Sequence, residues 1–301
     1  MRKNKIMIAT LAAIATQVIF GFSFMFTKIA LRYASPFTVI ADRYIIALAG
    51  LTLVVLFSRR KIKINKNIWK VALMAIFQPV LYFLLETYGI KLTTSAFSSV
   101  IISLTPVVTV LLGIFCLREK PVFTQYVFML LSVAGVVLLS CEGRSDGVVT
   151  LAGVLCLFGA LLSSSVYMIL SRKLSAEYSA FDRTYVMAVV GTVAFVMLAL
   201  LENRHAPLNL VRPFMQLPYM LSLLYLGVLS SVVAFLCLNF ASSHLPVAKT
   251  TVFSGLNMLV SVSAGILFLQ EPFSWETAVS AVMILVGVCG VQVVSVEKCK
   301  K

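Results

Sequence analysis

The fold class of this chain is decided by residues 95–140, which read SAFSSVIISLTPVVTVLLGIFCLREKPVFTQYVFMLLSVAGVVLLS. They contain two apolar runs, 95–117 and 122–140, separated by the short polar segment Arg118-Glu-Lys-Pro121. A helix that crosses a bilayer needs about 20 apolar residues. Strands of a membrane barrel are about 10 residues long and alternate apolar with polar residues, unlike these long and uniformly apolar runs. The stretch therefore predicts two consecutive membrane-spanning helices.

The remainder of the chain has the same character. Hydrophobic residues make up 60% of the 301 positions and charged residues 12%, whereas soluble domains have about 45–50% and 25%. The first run is too long for the apolar part of a signal peptide, so we expect it to be retained. We predict an all-α integral membrane protein with about ten transmembrane helices. The predicted runs are 6–30, 37–57, 69–90, 95–117, 122–140, 149–170, 181–201, 217–240, 247–269 and 273–294.

The net charge of +14 is divided unevenly between the polar segments. Every second segment is rich in Lys and Arg: Arg2, Lys3, Lys5, Arg59, Arg60, Lys61, Lys63, Lys66, Lys70, Arg118, Lys120, Arg172, Lys173, Arg183, Lys249, Lys298, Lys300 and Lys301. The alternate segments contain Arg32, Lys91, Arg144, Arg204 and Arg212. Lys and Arg concentrate on the cytoplasmic side of membrane proteins. This pattern predicts a cytoplasmic-membrane protein with both termini in the cytoplasm, and it does not favour a nucleic-acid partner.

An internal repeat relates the two halves of the chain. Glu271 lies 152 residues after Glu119 in similar segments, Leu-Gln-Glu and Leu-Arg-Glu, and Gly287 lies 152 residues after Gly135. A smaller shift of 144 places Lys28 on Arg172 and Phe37 on Phe181. We predict two five-helix units, 6–140 and 148–294. Because five is odd, the second unit must enter the membrane from the opposite face, an inverted repeat of the kind found in secondary transporters.

Several short motifs resemble the EamA family of the drug/metabolite transporter superfamily over nearly the whole chain. They are Phe20-Gly21-Phe22-Ser23, Lys28, Arg43, Leu104-Thr-Pro106-Val107, Leu117-Arg-Glu119-Lys120-Pro121, Gly135, Leu269-Gln-Glu271-Pro272 and Gly287. Two positions depart from the family pattern, since Phe20 replaces a frequent tryptophan and Met258 stands where the repeat would match Pro106. The resemblance implies secondary transport of small metabolites, often export of amino acids or related compounds.

Polar residues within the apolar runs are the candidates for substrate binding. Gln78, Tyr82 and Glu86 are spaced by four residues, which places them on one helix face. Alternatively, Glu86 reaches the membrane surface or pairs with Lys91 or Lys28, and the serines serve helix packing. The full set of candidates is Gln17, Phe20, Gln78, Tyr82, Glu86, Ser99, Ser103, Phe235, Asn239, Ser254 and Asn257.

A second group is predicted to have structural or gating roles: Lys28, Arg43, Pro106, Glu119 and Glu271. We expect Arg43 to pair with Asp42, Glu86 or Glu271. Glu119 and Glu271 end their helices, where a negative charge opposes the helix dipole. We therefore expect both carboxylates to be held by cations of the loops.

No motif for a nucleotide, a catalytic zinc ion or a nucleophilic serine is present in the sequence. The six cysteines form no C-x-x-C pair and read as small hydrophobic residues rather than metal ligands or disulfides. We predict no cofactor and no enzyme activity, and a gradient-driven exporter of small metabolites. The partners would be that substrate, the lipid bilayer and, as a candidate coupling ion, the proton. The alternatives are an uptake permease or exchanger of the same fold, a membrane scaffold or receptor, and an intramembrane enzyme.

Overall fold

The computed structural model describes residues 2–58, 61–117, 123–145, 149–245, 253–271 and 274–298. Within these ranges the chain is helical and contains no β-strand. The helices are α1 (Arg2–Ala30), α2 (Pro36–Ser58), α3 (Ile68–Lys91), α4 (Ser95–Ile102), α5 (Thr105–Leu117), α6 (Phe123–Ser145), α7 (Leu151–Leu174), α8 (Ala180–Glu202), α9 (Leu217–His244), α10 (Ser254–Leu269) and α11 (Trp275–Lys298).

Among the described residues, six helices are long and apolar enough to cross a membrane: α1, α2, α3, α7, α8 and α9. Shorter apolar helices occupy Ser95–Thr109, Phe123–Gly135, Ser254–Leu269 and Ala278–Gly290. The predicted all-helical membrane architecture is confirmed. The exact number of ten spans stays a prediction.

The outer surface of the helical bundle is apolar. Leu130 is 70% exposed and Leu155 is 62% exposed, which a bilayer accommodates and water does not. Trp69 and Trp275 lie at the beginnings of α3 and α11 and are also exposed. Tryptophans at helix ends are typical of membrane–water interfaces.

Two of the predicted spans are interrupted near their centres. In α3 a π-helical segment, Ile76–Leu81, contains Gln78 in an extended conformation (φ −143°, ψ 112°). The cause is Pro79, because a proline disfavours helical backbone in the residue before it. The fourth run breaks between α4 and α5, just before Pro106, and the Thr105 hydroxyl donates to the Ile102 carbonyl at 2.6 Å. By contrast, α10 continues through Met258 without a break.

Glycines allow α6 and α11 to pack closely. A methyl group on Gly135 would lie 2.9 Å from the Ser280 carbonyl oxygen, and one on Gly287 would lie 2.6 Å from the Phe128 carbonyl oxygen. Ser280 lies 152 residues after Phe128, as Gly287 does after Gly135. The shift of 152 residues therefore relates the two contacts: Gly135 and Phe128 of α6 correspond to Gly287 and Ser280 of α11.

Candidate functional site

An aromatic cluster joins four helices in the core. Phe235 of α9 makes edge-to-face contacts with Phe20 of α1, Phe83 of α3 and Tyr167 of α7, at ring-centroid distances of 5.4, 6.0 and 6.3 Å. The structure thus brings two of the predicted aromatic residues, Phe20 and Phe235, into direct contact. Phe83 and Tyr167 complete the cluster and were not among the predicted site residues.

The predicted polar face of α3 is buried beside this cluster. Gln78, Tyr82 and Glu86 are 3%, 7% and 4% exposed. The Tyr82 hydroxyl donates to Glu86 Oε1 at 2.7 Å. Gln78 Oε1 is buried and has no hydrogen-bond partner in the described part of the chain. Glu86 is therefore buried rather than exposed at the membrane surface, and Gln78 presents an acceptor that the described residues leave unsatisfied.

Arg43 is fully buried close to Glu86. Its Nε donates to the Ser231 hydroxyl at 2.7 Å and its Nη2 to the Ser230 hydroxyl at 2.8 Å. Its guanidinium carbon lies 4.0 Å from the centroid of the Phe83 ring. Arg43 is also the charged group that acts most strongly on Glu86. Of the acids predicted as its partner, Glu86 is the one for which the structure indicates an electrostatic interaction with Arg43.

The other two acids have different partners. Asp42 accepts a hydrogen bond from the Tyr219 hydroxyl at 2.6 Å. Glu271 accepts from the backbone amides of Ser95 and Ala96 at 2.7 and 3.0 Å. The partners of Glu271 are thus backbone amides at the N-terminus of α4, whereas we expected cations of the loops. A carboxylate is favourable there because the helix dipole is positive at that end.

Asn239 is fully engaged within the protein. Its Oδ1 accepts from the Tyr167 and Ser171 hydroxyls at 3.0 and 2.9 Å, and its Nδ2 donates to the Thr184 hydroxyl at 2.9 Å. Its backbone carbonyl accepts from Arg183 Nη2 at 2.7 Å. A side chain with these bonds has little capacity left for a substrate, so its geometry favours a packing role.

The predicted serines use their hydroxyl groups locally. Ser99 donates to the Ala96 carbonyl at 2.8 Å and Ser103 to the Val100 carbonyl at 2.6 Å. Ser254 donates across to the Ser103 carbonyl at 3.3 Å, at the break between α4 and α5. These bonds fit the packing interpretation of the serines.

Two amides remain as candidates for a ligand besides Gln78. Asn257 is 5% exposed, and its Oδ1 has no hydrogen-bond partner among the described residues. Gln17 of α1 is 8% exposed. Asn257 lies where α1 crosses α10, since a methyl group on Gly21 would be 2.9 Å from the Asn257 carbonyl oxygen. Pro106 is buried at the start of α5, and Glu119 lies outside the described residues.

The sequence profile of the EamA-like transporter family matches residues 7–141 and again residues 151–293. The chain belongs to the EamA-like transporter family. The predicted resemblance is thereby confirmed, and the protein is a multi-pass membrane protein of a transporter family.

Individual relatives of this EamA-like chain are also named as transporters. It is 33% identical over 299 residues to the uncharacterized transporter YcxC of Bacillus subtilis, covering 97% of this chain and 95% of the relative. It is 23% identical over 275 residues to an uncharacterized transporter of Archaeoglobus fulgidus, covering 91% and 94%. A protein of known crystal structure superposes with a TM-score of 0.67 over 95% of this chain and 98% of its own, at 19% identity. That last likeness concerns the fold alone.

Arg183 is a buried residue of this EamA-like chain that the sequence analysis assigned to a cytoplasmic polar segment. It is 0% exposed. Its Nη1 donates to the Ser171 carbonyl and hydroxyl, both at 2.6 Å, and its Nη2 donates to the Ser243 hydroxyl at 2.6 Å. A sequence signal was available, because Asp182-Arg183 repeats the dipeptide Asp42-Arg43 near the start of an apolar run.

Lys28 and Arg172 perform equivalent tasks at two helix ends. Lys28 Nζ donates to the Ile90 carbonyl at 2.7 Å, at the end of α3. Arg172 Nη1 donates to the Ser242 carbonyl at 2.8 Å, at the end of α9. Ser242 lies 152 residues after Ile90, and Arg172 lies 144 after Lys28. Cations at helix C-termini are favourable because the helix dipole is negative there.

A groove of about 770 Å³ lies outside the predicted site, between α1, the start of α8 and the end of α9. Its lining includes Ile8, Phe181, Leu236, Cys237 and Phe240. These α9 residues alternate with the buried Phe235, Leu238 and Asn239, so they belong to the opposite helix face. None of the predicted substrate-binding residues lines this groove.

A polar clamp joins the segment after α2 to the segment before α8. Asn65 and Asn67 donate to Glu177 Oε1 at 2.7 and 3.1 Å, and Lys63 Nζ donates to the Glu177 carbonyl at 2.8 Å. The hydrogen bonds from Asn67 and then Asn65 lower the pKa of the Glu177 carboxyl below its usual value. These bonds favour the ionised form.

We expect the Glu177 clamp to stabilise the protein at neutral pH and to weaken only under acid conditions. Because the pKa is lowered in the folded state, the contribution is present above the unfolded-state pKa, about 4.3. It is lost as the pH falls through the lowered value. Glu177→Gln should therefore lower the melting temperature at pH 7, and the difference from the wild type should shrink below about pH 4. A difference that grows on acidification would contradict this.

Proposed function

We propose that this chain is a gradient-driven secondary transporter that exports small metabolites, amino acids or related compounds, by alternating access between two inverted five-helix repeats. The observation that carries the proposal is that two side-chain amide oxygens, Gln78 Oε1 and Asn257 Oδ1, are buried in an apolar helical bundle without a hydrogen-bond partner. Among the described residues, Ser280 Oγ is the one other buried side-chain atom in this condition. An unpaired buried polar group costs about 1–3 kcal/mol. A polar ligand or water that binds between the two repeats would offset this cost.

The directions of the helices support an inverted relationship between the repeats. The Thr192 hydroxyl donates to the Tyr44 carbonyl, and Asn203 Nδ2 donates to the Thr38 hydroxyl. Residue numbers thus fall along α2 while they rise along α8, so the two helices are antiparallel. They are the second and seventh runs, equivalent members of the two proposed units.

Two further pairs of equivalent helices give the same support. The Ser261 hydroxyl donates to the Ser95 carbonyl, and the Ser254 hydroxyl donates to the Ser103 carbonyl, so α4 and α10 are antiparallel. The exchanged glycine contacts of α6 and α11 follow the same order. Equivalent helices that run in opposite directions are what a rotation axis in the membrane plane produces.

In an alternating-access mechanism the unsatisfied acceptors would bind the substrate. Gln78 lies in the first proposed unit, at the proline-induced interruption of α3, and Asn257 lies in the second, at the crossing of α10 with α1. We propose that the substrate binds at these acceptors, and that a movement of one unit against the other exposes it to one side of the membrane and then the other. Interrupted helices at the membrane centre are common in secondary transporters.

The test of the proposed function is flux measured with purified protein in proteoliposomes. Radiolabelled amino acids and related metabolites would be screened for uptake into inverted vesicles and for counterflow against an internal pool. Substrate-dependent flux that empty liposomes lack supports transport. Counterflow without net flux favours an exchanger, flux in the opposite direction favours an uptake permease, and the absence of flux for every compound favours a scaffold or receptor.

We expect both termini to be cytoplasmic. The beginning of α1 lies among the Lys- and Arg-rich polar segments. So do the two segments that form the Glu177 clamp, one with Lys61, Lys63 and Lys66 and the other next to Arg172 and Lys173. A C-terminal reporter that is active only in the cytoplasm should give a signal, and one that is active only outside should not. The opposite result would invert the proposed orientation.

A further inference from the structure

Glu271, just after the end of α10, accepts hydrogen bonds from backbone amides at the beginning of α4. Its Oε1 accepts from the Ser95 amide at 2.7 Å and the Ser95 hydroxyl at 2.9 Å, and its Oε2 accepts from the Ala96 amide at 3.0 Å. The next two amides, of Phe97 and Ser98, are bonded to the Thr94 hydroxyl and carbonyl at 3.0 Å each. The Ser98 bond is the first i→i−4 bond of the helix. The first three amides of α4, which have no helical partner, are thus satisfied, two of them by Glu271.

The position of the carboxylate is fixed by the end of α10. Gln270 adopts a left-handed conformation with φ 54°, and the Glu271 amide donates back to the Gly265 carbonyl at 3.1 Å. A methyl group on Gly265 would lie 2.6 Å from Glu271 Oε2. The carboxylate therefore lies against the last turn of its own helix, in a space that only glycine leaves free, and faces the start of α4.

Lys28 extends this junction to two more helices. Its ammonium group donates to the carbonyls of Ile90 and Thr93, which lie just before α4, and Glu271 acts on it electrostatically. The ends of α1, α3, α4 and α10 consequently meet on one face of the bundle. In the proposed orientation this is the extracytoplasmic face.

We propose that the contact between Glu271 and the amides of Ser95 and Ala96 is a latch that closes the extracytoplasmic side of the transport path. The inference rests on the proposed function, since α4 and α10 are equivalent helices of the two units. Outward opening would separate their ends at this face. Once separated, the carboxylate and the two amides can bind water, so the contact can break and re-form. Water cannot replace the van der Waals contacts of closely packed helices in the same way, as at Gly287.

Glu271→Gln is the most direct disturbance of the latch. A glutamine can keep one acceptor toward Ser95, but its NH₂ group would face the Ala96 amide, so two donors would meet. The charge that complements the helix N-terminus is also lost. We therefore expect the variant to populate the outward-open state more than the wild type does.

The readout is the reactivity of a cysteine at position 99 in a chain whose six native cysteines are replaced. Ser99 is 0% exposed and lies one turn below Ser95 in α4. A membrane-impermeant maleimide would be added from outside to intact cells and, separately, to inverted vesicles. With Glu271→Gln, labelling from outside should rise about tenfold, as expected when charge-assisted hydrogen bonds are replaced by weaker neutral ones. Labelling from inside should not rise.

Two controls make the result specific. Glu202→Gln removes the same charge at the end of α8, where the carboxylate binds the Ser35 hydroxyl instead of a helix start, and it should leave labelling of position 99 unchanged. A cysteine at Ser132, buried against Gly287 between α6 and α11, should stay unreactive in every variant. If Glu271→Gln fails to accumulate, Ser95→Ala removes only the hydroxyl contact and should give a smaller increase.

The outcomes separate the latch from the proposed function. Unchanged outside labelling in a well-folded Glu271→Gln variant, or an equal increase with Glu202→Gln, would overturn the latch even if the protein transports its substrate. Increased outside labelling in a protein without flux for any tested compound would support a moving junction and count against transport of those compounds.

Discussion

Glu86→Gln is expected to reduce the rate of substrate transport by about ten- to a hundredfold while leaving the amount of folded protein unchanged. Glutamine keeps an oxygen that can accept from the Tyr82 hydroxyl, so the 2.7 Å hydrogen bond can persist. The substitution makes this bond neutral and removes the negative charge that acts on Arg43. Hydrogen bonds to charged groups contribute about 1.5–3 kcal/mol. Every 1.36 kcal/mol of barrier changes a rate tenfold.

The measurement is initial flux of the identified substrate in proteoliposomes between pH 5 and 8. Asp42→Asn is the matched control, because Asp42 is also a buried acid bonded to a tyrosine hydroxyl, at 2.6 Å from Tyr219. It should reduce transport less than Glu86→Gln. If Glu86→Gln transports at the wild-type rate throughout this range, or if both variants lose activity equally, Glu86 has no specific role in binding or coupling.

Tyr82→Phe separates the two parts of the Glu86 site. It removes the hydroxyl that donates to Glu86 but leaves the carboxylate beside Arg43. If the charge is what matters for transport, this variant should keep more activity than Glu86→Gln. The reverse order would assign the role to the tyrosine hydroxyl.

Gly287→Ala is expected to give the largest loss of stability. The added methyl group would lie 2.1 Å from the Ser132 hydroxyl oxygen and 2.6 Å from the Phe128 carbonyl oxygen. A side chain could rotate away, but the carbonyl belongs to the backbone of α6, so the two helices must separate. Overpacking of this kind costs about 1–3 kcal/mol, which corresponds to a decrease in melting temperature of several degrees, at about 2–4 °C per kcal/mol.

Thermal unfolding of the purified variants in detergent would measure this effect. Gly50→Ala is the control within the same bundle, because its methyl group would meet nothing closer than Val232 Cγ2 at 4.0 Å. It should leave the melting temperature nearly unchanged. Gly135→Ala should resemble Gly287→Ala, since its methyl group would lie 2.9 Å from the Ser280 carbonyl oxygen. A Gly287→Ala protein as stable as the wild type would show that α6 and α11 are not this close.

The glycine pair also shows why the repeat could be recognised before the contacts were known. Gly135 and Gly287 stand at a constant spacing in the sequence, which indicated that the two positions have equivalent roles. The sequence could not show that the two helices that carry them contact each other. That contact depends on how the halves are packed, and glycine itself carries no pattern that names its neighbour.

The fate of the predicted polar residues illustrates the same limit. The spacing of Gln78, Tyr82 and Glu86 placed them on one buried face, because residues four apart in a helix are neighbours. Asn239 was predicted as a substrate-binding candidate in the same list, although Tyr167, Ser171 and Thr184 use its hydrogen-bonding groups. Those partners come from other helices, so periodicity within one helix cannot distinguish an engaged amide from an available one.

The sequence by itself determined the features that depend on local chemistry and on the lipid bilayer as solvent. Long apolar runs predicted membrane helices because a bilayer requires backbone groups to be satisfied within each segment, and the short motifs identified the family. Only the tertiary structure decided which buried charges meet. Arg43 binds Ser230 and Ser231, and Glu271 binds the start of α4. These hydrogen-bond partners are more than 170 residues apart in the chain, so they come together only when the helices pack.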